Sequence, residues 1–399
     1  MDPTVEPDPD NAGGGKKANH TTPSAGGVFY FRFPFSIRFL TVQTKFQQEV
    51  NMWNPRTLML CMLLVFLSAG IGDAKEKAPF VTLMTHDSFA VSQELLDDFQ
   101  KRHGTEVKIL KSGDAGAALN QAILSKKNPL ADVFFGVDNT FMSRALSADI
   151  FEPYESPFLK GIPNTLKLDP SSRLLPVDYG DVCLNYDKSW FSKKGLAPPR
   201  GLDELIMPAY KGLTIVQNPA TSSPGLAFLI ATVGKYGESG YLDYWKKLRA
   251  NDVYVTAGWS EAYYGKFVRA KGGTRPIVVS YASSPAAEVY YSEKSLTDTP
   301  TGGVLGAGSV FRQIEFVGIL KNTAKRELAR KLVDFMLSPA FQKDIPLHMW
   351  VFPANPETPL PDVFRNYAQK AQTPIMLLPE TIENGREKWI ETWTDVVLR

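Results

Sequence analysis

The residues of this sequence best suited to chemistry are hydroxyls, carboxylates and aromatic rings placed at the ends of apolar runs. Asn218-Pro219-Ala220-Thr221-Ser222-Ser223-Pro224-Gly225-Leu226 leads into a long apolar segment. Ser223 can cap a helix there, Pro224 suits its first position, and the free N–H groups with the helix dipole attract an anion. A simple capped helix uses the same residues, but three clustered hydroxyls favour a phosphate or carboxylate.

Gly258-Trp259-Ser260-Glu261-Ala262-Tyr263-Tyr264 sets an indole just after a glycine, at an expected strand-to-helix turn. Tyr281 closes the apolar run Pro276-Ile277-Val278-Val279-Ser280, and Trp350 lies in the loop-like stretch His348-Met349-Trp350-Val351-Phe352-Pro353. Taken singly, such rings serve as packing. Gathered on one cleft they would stack a flat or cationic ring. Asp87, Asp138 and Asp178 each follow an apolar run, where a carboxylate either receives a cation or amino group or caps a turn.

Catalytic patterns are poor by comparison. Beyond residue 74 the histidines are His86, His103 and His348, with no His-x-x-x-His, Cys-x-x-Cys or Gly-x-Ser-x-Gly spacing. Cys183, inside an apolar run, reads as a small buried residue rather than a nucleophile. Were it one, an enzyme that processes its ligand would be the reading. The glycines of Thr301-Gly302-Gly303-Val304-Leu305-Gly306-Ala307-Gly308 are not in phosphate-loop spacing and read as a loop at a lobe crossing. Tyr290-Tyr291 raises the alternative of a ferric-ion binder, but a helix after Pro285 would turn one ring inward and one outward.

The elements that must hold these residues alternate. Phe80 to Met84 is strand-like, Leu95, Leu96 and Phe99 have helical spacing, and Val107 to Leu110 resumes a strand. Ala117 to Leu124 reads as a helix, Ala131 to Phe135 as a strand, and Asp178 to Tyr186 as a long strand leaving the first lobe. A second set follows: strand Leu213 to Val216, helices Gly225 to Tyr236 and Tyr241 to Leu248, and strand Pro276 to Tyr281. Phe316 to Leu320 and helix Arg326 to Leu337 return to lobe one. Such alternation implies α/β architecture: mostly parallel sheets, helices on both faces, ligand loops at the carboxyl ends of the strands. Two lobes joined by crossing strands make a cleft that can close on a ligand.

Composition agrees with a globular chain: 399 residues, 44% hydrophobic and 22% charged. A net charge of +2 without basic-aromatic runs excludes a nucleic-acid partner. Met52-Trp53-Asn54-Pro55-Arg56, the apolar run Leu58 to Leu67 and Ser68-Ala69-Gly70-Ile71-Gly72-Asp73-Ala74 read as a secretory leader cleaved after Ala74, with an uncleaved anchor as the alternative. The run is short for a membrane span, which wants about 20 apolar residues. Residues 1–51 are then an upstream low-complexity extension and 52–74 the signal peptide. With the leader removed Cys183 is the one cysteine left, so no internal disulfide is expected.

Several of these stretches resemble one family in order. They are Thr85-His86-Asp87-Ser88-Phe89, Gly136-Val137-Asp138-Asn139, Asp178-Tyr179-Gly180, Ser223-Pro224-Gly225-Leu226, Gly258-Trp259-Ser260-Glu261-Ala262-Tyr263, Ser280-Tyr281, Ser338-Pro339-Ala340-Phe341-Gln342 and Trp350 with Pro353. The chain is similar, from Phe80 to its end, to the thiamine-binding periplasmic components of ABC importers. The resemblance implies a periplasmic-binding-protein type II fold, lobe 1 from 75–177 and 302–345, lobe 2 from 178–301 and 346–399. It implies a monomeric carrier in the periplasm, not an enzyme. Thiamine, its monophosphate or its diphosphate would be the ligand, a membrane permease the partner, and no cofactor or metal would be needed. Trp259, Tyr281 and Trp350 would sandwich the rings, with Tyr263 beside them. Ser222, Ser223 and Gly225 would take the phosphate. Asp138 and the Asp87-Ser88 loop would face the rings from lobe one. His86 stands where the family is expected to carry Tyr, so protonation there would repel a cation.

Overall fold

Strands and helices alternate through residues 79–399, the part of the chain that the structure, a computed structural model, describes. The extension at 1–51 and the leader at 52–74 lie outside the described residues. In chain order come β1 (Phe80–Thr85), α1 (Gln93–His103), β2 (Glu106–Lys111), α2 (Ala115–Leu124), β3 (Val133–Asp138), α3 (Met142–Ser147) and β4 (Phe151–Glu152). There follow β5 (Leu175–Asp187), α4 (Lys188–Lys194), β6 (Thr214–Gln217), α5 (Ser223–Ala250), β7 (Tyr254–Thr256), α6 (Trp259–Glu261), β8 (Ile277–Tyr281) and α7 (Ser284–Tyr290). The chain ends with β9 (Thr301–Val304), β10 (Phe311–Leu320), α8 (Arg326–Leu337), α9 (Pro339–His348), β11 (Phe352–Pro353), α10 (Asp362–Tyr367) and α11 (Pro379–Val397).

The strands run β2-β1-β3-β10-β5-β8-β6-β7 across the sheet. β1 is parallel to β2 and β3, and β6 is parallel to β7 and β8. Between these two parallel blocks stand β10 and β5, antiparallel to each other and to their outer neighbours β3 and β8. β5 pairs with β10 from Leu175 to Val182 and with β8 from Val182 to Tyr186. One long strand thus carries the chain from the first block to the second. The expected α/β architecture with crossing strands is present, and strands buried on both faces read as near-continuous apolar runs.

Residues 79–399 lie in one compact unit. Its largest fully buried side chains include Trp245 of α5 and Trp389 and Trp393 of α11. Trp393 meets Trp245 edge-on at 5.5 Å, and the Trp245 indole donates to Thr232 Oγ1 at 2.9 Å. Helix α11 touches both α5 of the second block and α3 of the first. Among the described residues no helix is long and apolar enough to cross a membrane.

Local differences from the sequence reading have physical causes. The two helices expected on either side of Gly237 are joined into α5, with a break at Gly237, whose φ of 71° suits a residue without Cβ. The glycine-rich segment is not all loop: Thr301–Val304 form β9 against β5. Asp178 lies inside β5 rather than at a strand end, because β5 starts at Leu175. Tyr290 and Tyr291 are both exposed, since α7 ends at Tyr290 and the chain turns away.

Candidate functional site

Three acids stand side by side across the middle of the sheet. Glu315 of β10 pairs in register with Asp138 of β3 on one side and Asp178 of β5 on the other. All three are buried, and the ladder is irregular just after Glu315 on the β5 side and just after Phe316 on the β3 side. Bulges of this kind re-aim side chains and gather near functional sites.

Asp138 Oδ1 is fully used. It accepts from the Thr140 N–H at 2.9 Å, the Thr140 hydroxyl at 2.6 Å and the Phe141 N–H at 3.1 Å. Its Oδ2 is buried with no partner. Burial pushes this carboxyl up to about 6, against the pull of the Thr140 and Ser223 hydroxyls and with a smaller push from Glu315. Neither oxygen of Asp178 meets a donor. Burial, then the neighbouring Glu315, holds the Asp178 carboxyl well above the ordinary carboxylate range. Two adjacent buried acids avoid repulsion by sharing a proton.

His86 closes this row. Its Nε2 lies 3.3 Å from Glu315 Oε1, without a well-aligned hydrogen bond. Its ring packs on Phe135 at 5.7 Å, and a Cβ on Gly136 would come 2.6 Å from His86 Cδ2. Gly136 has φ 107°, so glycine is required there twice over. Burial disfavours charge on His86, but Glu315 and then Asp114 outweigh it and raise the pKa above the usual imidazole value.

The start of α5 lies against the same acids. Ser222, not Ser223, occupies the cap position, in extended conformation with φ −122° and ψ 128°. The helix begins one residue earlier than expected because Pro224, which donates no hydrogen bond, is tolerated anywhere in a first turn. The Ser222 and Ser223 hydroxyls are buried without well-formed partners. Ser222 faces Asp114, and Ser223 faces Asp138. Gly225 serves packing, since a Cβ there would stand 2.5 Å from the Gln217 carbonyl oxygen of β6.

On the other side Trp259 is held at three points. Its N–H donates to Asp114 Oδ2 at 2.9 Å, and its indole N–H donates to Ser280 Oγ at 2.9 Å. Tyr263 stacks on the indole at 5.0 Å and 19°. Tyr263 is buried and gives its hydroxyl to Glu288 at 2.7 Å, so it backs the indole. Tyr281 meets Trp259 edge-on at 6.5 Å and donates to Gln313 Oε1 at 3.1 Å. Trp350 belongs to a second aromatic group, with Tyr290 at 5.4 Å, Tyr291 at 5.5 Å and Phe364 at 6.3 Å. Its φ of 58° is unusual for a bulky residue, and its carbonyl accepts from the Ser283 hydroxyl.

Contacts bridge the two blocks around this cluster. Besides Asp114 with Trp259, the Gly116 N–H donates to the Thr221 carbonyl at 3.0 Å and Ser88 Oγ lies 3.3 Å from Ser260 Oγ. Asp87 is exposed, and its Oδ1 accepts from the Gly113 N–H at 3.0 Å, so this carboxylate shapes the loop. The structure therefore gathers His86, Asp138, Ser222, Ser223, Trp259 and Tyr281, with Tyr263 behind the indole and Ser88 at the rim. It sets Trp350 in a neighbouring ring cluster, Asp87 in a loop and Gly225 in a packing contact.

Asp114 and Glu315 were missed by sequence reasoning. Glu315 is a lone acid in the buried strand Phe311–Leu320, a signal in itself. Asp114 caps α2, with Oδ1 accepting from the Ala115 N–H at 2.8 Å. Residues that cap helices are common, and only the fold reveals that its second oxygen reaches Trp259.

A two-block sheet with buried polar groups facing an aromatic platform across the crossing strands is the geometry of a solute carrier, and a family model described as bacterial extracellular solute-binding protein matches residues 128–375. The chain belongs to this family. The solute-binding protein is 32% identical over 344 residues to the thiamine-binding periplasmic protein of Salmonella typhimurium, covering 84% of this chain and 98% of that one. A solved periplasmic thiamin binding protein superposes with a TM-score of 0.71 at 29% identity, covering 81% of this chain and 98% of the other. The apo ferric ion-binding protein A of Pasteurella haemolytica, at 19% identity and TM-score 0.63, shares the fold alone.

Proposed function

We propose that this solute-binding protein captures thiamine and its phosphate esters in the periplasm and passes them to the membrane permease of an ABC importer. In this reading residues 52–74 are a cleaved leader and the protein performs no chemistry on its ligand. The observation that carries the reading is the placing of Trp259, fixed by Asp114, Ser280 and Tyr263, beside Tyr281, whose phenol senses the buried acids Glu315, Asp138 and Asp178. An indole face and nearby carboxylates suit a flat organic cation. The similarity to thiamine-binding periplasmic proteins over most of both chains supports the same ligand. Ser222 and Ser223, at the start of α5, are the groups suited to a phosphate ester. Cys183 is buried in β5 and burial raises its thiol pKa, which suits packing rather than nucleophilic attack.

Titration of the mature chain with thiamine should quench tryptophan fluorescence with one ligand per chain, while ferric salt leaves it without colour. Absence of saturable quenching by thiamine or either phosphate would remove the reading.

A further inference from the structure

The acid row has a property that a simple cation pocket lacks: its hydrogen-bond donors all fall on one oxygen of Asp138, and Asp178 has none. Asp138, Glu315 and Asp178 are adjacent on three neighbouring strands, and Asp138 Oδ2 and both Asp178 oxygens are buried without partners. Three ionised carboxylates at this spacing, out of water, would repel one another strongly.

The groups facing the row come from every element around it. They are His86 after β1, 3.3 Å from Glu315, Asp114 at the cap of α2 and Lys111 of β2, both acting on His86. Tyr281 of β8 senses Glu315, Asp114, Asp138 and Asp178, and Arg386 of α11 senses Asp138. Tyr281 stays neutral, because burial and these carboxylates push its phenol upward. Lys111 is committed to the Asp87 carbonyl at 2.9 Å. None of these neighbours donates to Asp178.

We propose that the Asp138–Glu315–Asp178 row is a proton-exchange subsite, in which Asp178 and Glu315 share a proton in the ligand-free protein and release it to solvent when an organic cation binds. The proposal rests on the thiamine reading and adds to it that capture is proton-linked. The proton reduces the negative charge of the row by one without ligand. The arriving cation takes over that role, and the O–H bond of the shared proton breaks with its electron pair left on the carboxylate. No other bond changes.

Linkage fixes the sign: if binding releases a proton, affinity rises with pH, by up to about tenfold per pH unit for one proton. The test is calorimetry of the mature chain with thiamine near pH 7 in buffers of different ionisation enthalpy, where the slope of heat against that enthalpy counts protons released. Wild type should release about half to one proton per thiamine. Asp178→Asn, which imitates the protonated acid and should fold, should bind thiamine with most of that release abolished. Thiamine binding with zero slope in the wild type would overturn the proposal and leave the thiamine reading intact. An undiminished slope in Asp178→Asn would also overturn it, by placing the proton on His86 or elsewhere. No thiamine heat at all would overturn the underlying reading and this proposal with it.

Discussion

Replacing Asp114 by Asn keeps the shape of the side chain and removes its charge. Asp114 Oδ1 accepts from the Ala115 N–H at 2.8 Å and Oδ2 from the Trp259 N–H at 2.9 Å. An amide offers one acceptor oxygen, so one of these two N–H groups must face an NH2. A hydrogen bond to a charged acceptor contributes about 1.5–3 kcal/mol. Burial already opposes the Asp114 charge and raises its pKa, so the lower half of that range applies. If the loss falls on Trp259, which comes from the other block, the contact that holds the indole beside the site is weakened. Thiamine affinity should then fall about ten- to thirtyfold, the equivalent of about 1.5–2 kcal/mol. If it falls on Ala115, the cap of α2 weakens and the urea midpoint drops instead. Fluorescence titration and urea unfolding of the same variant separate the two. Affinity within twofold of wild type together with an unchanged midpoint would refute the role given to Asp114.

Other substitutions probe different parts of the account. Thiamine should bind more weakly near pH 5 than pH 8, because protonated His86 repels a cation; its pKa is raised, so the loss should begin near neutral pH, and His86→Gln should flatten part of it. Gel-based or calorimetric affinities equal at the two pH values would count against His86 lining the site. Ser222→Ala with Ser223→Ala should weaken thiamine monophosphate by roughly 1–2 kcal/mol and thiamine much less, read by competition titration; equal losses would place the phosphate elsewhere. Trp393→Ala, which opens a cavity beside Trp245, should lower unfolding stability by about 3–5 kcal/mol in urea while leaving affinity within a few fold.

Legibility in the sequence followed the range of the interactions involved. Apolar runs gave β1, β2 and β3, and amphipathic spacing gave α8 over Arg326–Leu337, because these depend on neighbours a few positions away. The turn carrying Trp259 and the helix start at Ser222-Ser223 were legible for the same reason, with the cap misplaced by one residue. What could not be read is register. Asp138, Glu315 and Asp178 are far apart in the chain, and their alignment depends on how β3, β10 and β5 pair around a bulge. Trp350 shows a similar limit, since its grouping with Tyr290, Tyr291 and Phe364 comes from the packing of α7 and α10.

The central claim, that the acid row and the Trp259 platform form a site for a flat organic cation, meets its most direct test in calorimetry of the mature chain with thiamine, thiamine monophosphate and thiamine diphosphate. One site per chain with saturable heat for thiamine, weakened by Trp259→Ala, is the result the account predicts. No heat with any of the three, or heat untouched by Trp259→Ala, would contradict it.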